Sequence, residues 1–156
     1  MRALIDALPS VSKADYFLDT CFLFYFLKTE KMRRLNEFCS THSVGMSSFN
    51  LAEIEHVHHK MDGTLNHHLR DFLKKKLVSS VAVDVNPGER DKEIAYVQEF
   101  DPKILSLVPD ASDAVLFVQA LKLRANLLTR DKHHLFTTRA ENYLNEYGIE
   151  VLNELP

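Results

Sequence analysis

The stretch Tyr16-Phe17-Leu18-Asp19-Thr20-Cys21-Phe22-Leu23-Phe24-Tyr25-Phe26-Leu27 decides the fold. It reads as a short buried strand, Tyr16 to Asp19, followed by a helix from Thr20 through Leu27, with Thr20 as its N-cap. That helix carries an almost wholly apolar surface, so its place is central rather than peripheral. The same order of strand, turn and helix recurs down the chain. Lys31 to Ser40 reads as a helix, and Ser43 to Met46 as a strand leading into Ser47 and Ser48, which cap a helix from Phe49 to about Lys60. Thr64 to Leu77 has helical spacing of Leu65, Leu69, Phe72 and Leu73, and the alternating valines of Val78 to Val85 predict a strand that ends at Asn86-Pro87-Gly88. Further helices are expected over Glu89 to Phe100, Asp113 to about Arg124 with Ser112 as cap, and Lys132 to Tyr147, which Gly148 terminates. Strands are expected at Asn126 to Thr129 and Ile149 to Leu152. Strands alternating with helices predict an α/β fold with a parallel sheet.

A chain of 156 residues with 46% hydrophobic content buries one sizeable core, so a single domain is expected over 16–156, preceded by an N-terminal leader over 1–15. No repeat, low-complexity tract or long linker divides it, and its 4 Gly and 5 Pro leave few breaks. The net charge of -3 gives no global attraction to nucleic acid, so any such binding has to come from a local basic rim. Cys21 and Cys39 are too few for a disulfide framework. Asp6 interrupts the apolar residues of Met1 to Leu8, which argues against a secretory signal. The longest apolar run, Cys21 to Leu27, falls far short of the roughly 20 residues that cross a bilayer. No membrane association and a reducing cytoplasm are the simplest expectations.

Three aspartates occupy one kind of place. Asp19 ends the first strand before an apolar helix, Asp113 opens another apolar helix, and Asp131 follows the strand ending at Thr129. Each has a bland reading as a helix cap or first-turn acid, because carboxylates favour the positive end of a helix dipole. In parallel α/β sheets, however, the carboxyl ends of the strands line one edge of the fold, where ligands bind. Asp19 and Asp131 therefore converge there, with Asp113 joining from a helix start. Glu53, one turn inside its helix, supplies a fourth carboxylate, whereas Glu55 faces elsewhere. Converging carboxylates repel one another and raise their own pKa values; a hard divalent ion removes that conflict. Oxygen ligands suit Mg²⁺ or Mn²⁺, which share phosphate oxygens with a substrate.

The segments Tyr16-Phe17-Leu18-Asp19-Thr20, Ser47-Ser48-Phe49-Asn50-Leu51-Ala52-Glu53, Ser112-Asp113-Ala114-Val115-Leu116 and Leu128-Thr129-Arg130-Asp131 resemble, in order and spacing, the four acidic motifs of PIN-domain nucleases. The resemblance runs from about Tyr16 to Val151, and in size the chain is similar to the VapC-type toxins of prokaryotic toxin-antitoxin pairs. It implies a three-layer α/β/α fold around a mainly parallel sheet, an acidic pocket for Mg²⁺ or Mn²⁺, and endonucleolytic cleavage of RNA. It also implies an antitoxin partner and a homodimer. By the same resemblance Asp19, Asp113 and Asp131 are the metal-binding acids and Glu53 the fourth pocket acid, with Thr20 and Thr129 orienting them. The chain departs from the pattern in its leader before Tyr16 and in Asp110, an acid that competes with Asp113 for the metal role; Asp113 is favoured because it directly opens the apolar helix. A non-catalytic module binding RNA or protein, and a housekeeping RNA-processing nuclease, remain alternatives.

Arg130 and Lys132 flank Asp131 and are the leading candidates for substrate phosphate contacts, with Arg33 and Arg34 behind them. Lys74-Lys75-Lys76 reads as a solvated helix face. The groups His56, His58, His59 and His67-His68 lack a structural-zinc spacing and read as surface residues. His133 or His134, close to Asp131, is placed to touch a phosphate. Neither a glycine-rich phosphate loop nor a Gly-x-Ser-x-Gly turn occurs, which sets aside nucleotide triphosphatases and acyl-transfer enzymes.

Overall fold

A computed structural model describes residues 1–135 and 137–156. Its described strands are β1 (Tyr16–Leu18), β2 (Val44–Ser47), β3 (Ser79–Val81), β4 (Asn126–Leu128) and β5 (Val151–Leu152). They form one sheet in the order β3-β2-β1-β4-β5, and every pairing is parallel. Helix α1 (Arg2–Asp6) precedes the first strand; parallel neighbours need crossover connections, and these are supplied by α2 (Thr20–Lys28), α3 (Met32–Thr41), α4 (Ser48–Val57), α5 (Gly63–Lys74), α6 (Arg90–Phe100), α7 (Ile104–Leu107), α8 (Ala111–Leu123) and α9 (Thr138–Glu146).

The period-two alternation of the strands sorts the core into two halves. Phe17 and Leu127 point to one face, where Val97 of α6, Val115, Phe117 and Val118 of α8, and Leu144 of α9 cover them. Leu18, Met46 and Leu128 point to the other, against Phe22, Leu23 and Phe26 of α2, Leu35 of α3, Ile54 of α4 and Leu69 and Phe72 of α5. Helices on both faces of a parallel sheet make the three-layer α/β/α architecture. The N-terminal segment packs on the second half: Leu8 is buried there, and Ser10 forms a bridge to Ser80 beside β3.

Several boundaries differ from the sequence expectation for local reasons. The strand expected over Val78 to Val85 is paired only at Ser79–Val81, because β2 offers partners only from Gly45 to Ser47. Beyond it the Ser48 hydroxyl takes over, accepting from the Val83 N–H at 2.9 Å. Thr20 lies inside α2, whose N-cap is Asp19, and the cap of α8 is Asp110 rather than Ser112. In place of a helix from Lys132, α9 begins at Thr138, capped by the Thr137 hydroxyl; Phe136 lies outside the described residues. The short helices α1 and α7 were not expected. No described helix is long and apolar enough to cross a membrane.

Candidate functional site

The sheet order places the site. Successive strands run outward from β1 to β2 to β3, and the chain then returns to lay β4 on the other side of β1. The crevice at the carboxyl ends of β1 and β4 is therefore the topological switch point, where such sheets bind ligands. Asp19 directly follows β1, Thr129 directly follows β4, and the Asp19 N–H donates to the Leu128 carbonyl at 3.0 Å, tying the two strand ends together.

Asp19 is buried, with only 6% of its surface exposed. It occupies the N-cap position of α2, yet its side chain makes no capping bond. Oδ2 accepts from the Thr129 hydroxyl at 2.7 Å and from the Cys21 thiol at 2.9 Å, and Oδ1 from the Asn50 amide at 3.3 Å. The cap reading of this residue is thus set aside by geometry. Burial pushes its carboxyl above the ordinary range, against the opposing hydrogen bonds from Cys21, Thr129 and the Thr20 backbone.

Asp113 sits in the first turn of α8, and the cap role there belongs to Asp110, whose Oδ1 accepts from the Asp113 N–H at 3.0 Å. The Asp113 side chain is left to face the crevice. Burial, then the charges of Asp110, Asp131 and Asp19, push it up to about 7, with a hydrogen bond from His134 opposing. Asp131 closes a turn, its Oδ1 accepting from the backbone N–H groups of His133 at 2.9 Å and His134 at 3.3 Å. Thr129 links this turn to Asp19, because its hydroxyl oxygen also accepts from the Asp131 N–H at 3.1 Å. Glu53, on α4, makes no bond to the other acids among the described residues but shares their field. Burial and then Asp19, Asp110 and Glu93 push it up to about 7.

Asp113, Asp131 and His134 each present a donor atom within 4.8 Å of the others, and they are the metal-capable group among the described residues. Asp19 and Glu53 lie outside that trio. Thr20 accepts from the Asn50 amide at 3.0 Å. The Arg130 guanidinium turns away from the acids: it stacks 3.7 Å above the Tyr25 ring and donates to the Asn153 carbonyl at 2.8 Å. Lys132 is exposed beside Asp131.

Sequence reasoning missed Asn50, Glu93 and Cys21. Asn50 precedes Glu53 by three positions and so shares its helical face, a signal that was present. Glu93 is 3% exposed and accepts from the Ser112 hydroxyl at 3.0 Å. It stands four positions before the buried Val97, an acid on an apolar stripe. Cys21 bonds Asp19 through its thiol, and no pattern announced it.

The family model of the PIN domain matches residues 16–141, most of the chain. The chain belongs to the PIN-domain family. No curated protein matches it in sequence. Among solved structures, the PIN domain is similar in fold to the crystal structure of VapBC2 from Rickettsia felis bound to a DNA fragment from their promoter, with 17% identity, a TM-score of 0.60, and coverage of 90% of this chain and 98% of that one.

The residues of this PIN domain fit a divalent cation. A buried carboxylate, Asp19, has no Lys or Arg ion pair among the described residues, and neither do Glu53, Asp113 or Asp131. Uncompensated negative charge in a crevice is costly unless a cation or protons neutralise it. The donor set is mainly carboxylate oxygen, the chemistry that hard divalent ions prefer.

Proposed function

We propose that this PIN domain is a Mg²⁺- or Mn²⁺-dependent endoribonuclease and the toxin half of a toxin-antitoxin pair, acting in the cytoplasm. The observation that carries the reading is the set of acids gathered at the β1/β4 crevice with no Lys or Arg ion pair among the described residues. Asp113 and Asp131 would hold the ion directly, with Asp19 and Glu53 completing the negative pocket. When bound, the ion supplies Lewis acidity toward a phosphate oxygen and acidifies an attacking water. The chain's own residues do the rest. Thr129, Cys21 and Asn50 fix the Asp19 carboxylate in one orientation, and Thr129 holds the Asp131 turn in register with it. Glu53, poised near neutrality, is suited to take a proton from water at the pH where the enzyme works. Lys132, exposed at the rim, is suited to a substrate phosphate; Arg130 reaches one only by leaving Tyr25.

The likeness to a VapBC2 structure supports an antitoxin partner and, with it, a homodimeric toxin. The test is Mn²⁺-dependent cleavage of a structured RNA, with DNA of the same sequence alongside, by wild type and Asp19→Asn. Loss of roughly 10²-fold or more in the variant is expected. Equal activity in both proteins refutes the site, activity in neither favours a binding module, and cleavage of DNA alone refutes the substrate.

A further inference from the structure

His134 stands where an oxygen-only site would have no nitrogen. It lies on the turn after β4, which Asp131 folds back on itself by accepting from two successive backbone N–H groups. The ring is thereby aimed at the acids: Nδ1 is 2.8 Å from Asp113 Oδ2 and 3.6 Å from Asp131 Oδ2. We infer that His134 is a nitrogen ligand of the ion held by Asp113 and Asp131, making a mixed nitrogen-oxygen site that selects a first-row transition ion over Mg²⁺. The inference rests on the metal-dependent reading given above and adds the identity of a donor and the class of ion.

Geometry favours it. An ion about 2.1 Å from each donor, with donors at right angles, needs neighbouring donor atoms roughly 3 Å apart. The two separations from Nδ1 bracket that spacing, and the three donor atoms all lie within 4.8 Å of one another, so small side-chain movements bring them round one ion. Neutral imidazole protonated on Nε2 offers the Nδ1 lone pair in the required direction. Imidazole suits transition ions, whereas Mg²⁺ prefers oxygen and keeps its waters. The competing reading is that His134 only accompanies Asp113 as a hydrogen-bond partner and withdraws when the ion arrives, leaving oxygen ligands alone.

Pulsed EPR of the full chain loaded with Mn²⁺ separates the two. A nitrogen hyperfine coupling is expected in the wild type and in His133→Ala, and its disappearance in His134→Ala. His134→Gln, closer in volume, replaces the alanine variant if that one does not fold. Mn²⁺ affinity should fall roughly tenfold or more in the His134 variant, while Mg²⁺ affinity, read by competition, changes much less. Wild type that binds Mn²⁺ without nitrogen coupling overturns the inference and leaves the proposed function standing. Wild type that binds no Mn²⁺ overturns both.

Discussion

Raising the pH without a divalent ion should destabilise this PIN domain, and adding the ion should reverse the effect. Glu53 moves from its ordinary 4.5 to about 7 through burial and then the charges of Asp19, Asp110 and Glu93. Asp113 moves from 3.8 to about 7 through burial and then Asp110, Asp131 and Asp19, and Asp19 itself is raised by burial. In each case the folded value lies above the unfolded one. The folded chain therefore binds more protons, and this contribution to stability is fully present below the unfolded values and lost as the pH rises through about 7. For one such carboxyl the loss between about pH 5 and about pH 8 is roughly 2.5 kcal/mol, at about 1.4 kcal/mol per pH unit. Glu53 and Asp113 keep some contact with water and share one field, so their contributions are screened and do not add; the expected total is about 2 kcal/mol. For a chain of this size that lowers Tm by roughly 4–8 °C. Asp101 works in the opposite sense, held below its ordinary range by the Lys103 backbone N–H and then the Tyr143 hydroxyl, but it acts below about pH 4, outside this window. Saturating Mn²⁺ binds the ionised acids, so its stabilisation grows with pH. Thermal unfolding in chelator and in Mn²⁺ across this pH range is the assay. An ion-free Tm that stays level or rises, or an ion effect that does not grow with pH, would refute the account of the acidic crevice.

Two substitutions probe the framework around it. Thr129→Val removes the hydroxyl that donates to Asp19 at 2.7 Å and accepts from the Asp131 N–H at 3.1 Å. It should cost about 1–3 kcal/mol in chemical denaturation and weaken Mn²⁺ binding by roughly 10–100-fold in calorimetric titration; unchanged affinity would show that Thr129 does not orient the acids. Gly45→Ala places a Cβ 2.9 Å from both the Ala14 Cβ and the Val81 Cγ2. Overpacking of that kind should cost about 1–3 kcal/mol, measured by urea unfolding, and a neutral result would contradict the close approach of β2 to its neighbours.

The candidate site was legible in its acids and only in part in their supports. Asp19, Asp113 and Asp131 could be picked out because each follows a strand or opens a helix, and Glu53, one turn inside α4, by the resemblance of its motif. The resemblance pointed to Thr129, but Asn50, 31 positions from Asp19, is conspicuous as its partner only in space. Glu93 looks like any acid on a charged helix until α6 packs on α8 and closes over it. Arg130 points one way in the sequence and another in the structure. Its place beside Asp131 suggested a phosphate contact, but successive residues point in different directions, and its guanidinium goes to Tyr25 and Asn153.

The type and order of the five strands and the longer helices were settled by the chain alone, because local periodicity and backbone preference act over a few residues. Alternating apolar runs and capped helices required a parallel α/β sheet whichever way the strands were ordered. Strand order was a tertiary outcome. Setting β4 beside β1 rather than beside β3 depends on which helical faces complete two cores at once, a comparison between segments more than 100 positions apart. The same packing decided that His134 meets Asp113 and that Asp110, rather than Ser112, caps α8, since side-chain direction follows from where each element settles against the sheet.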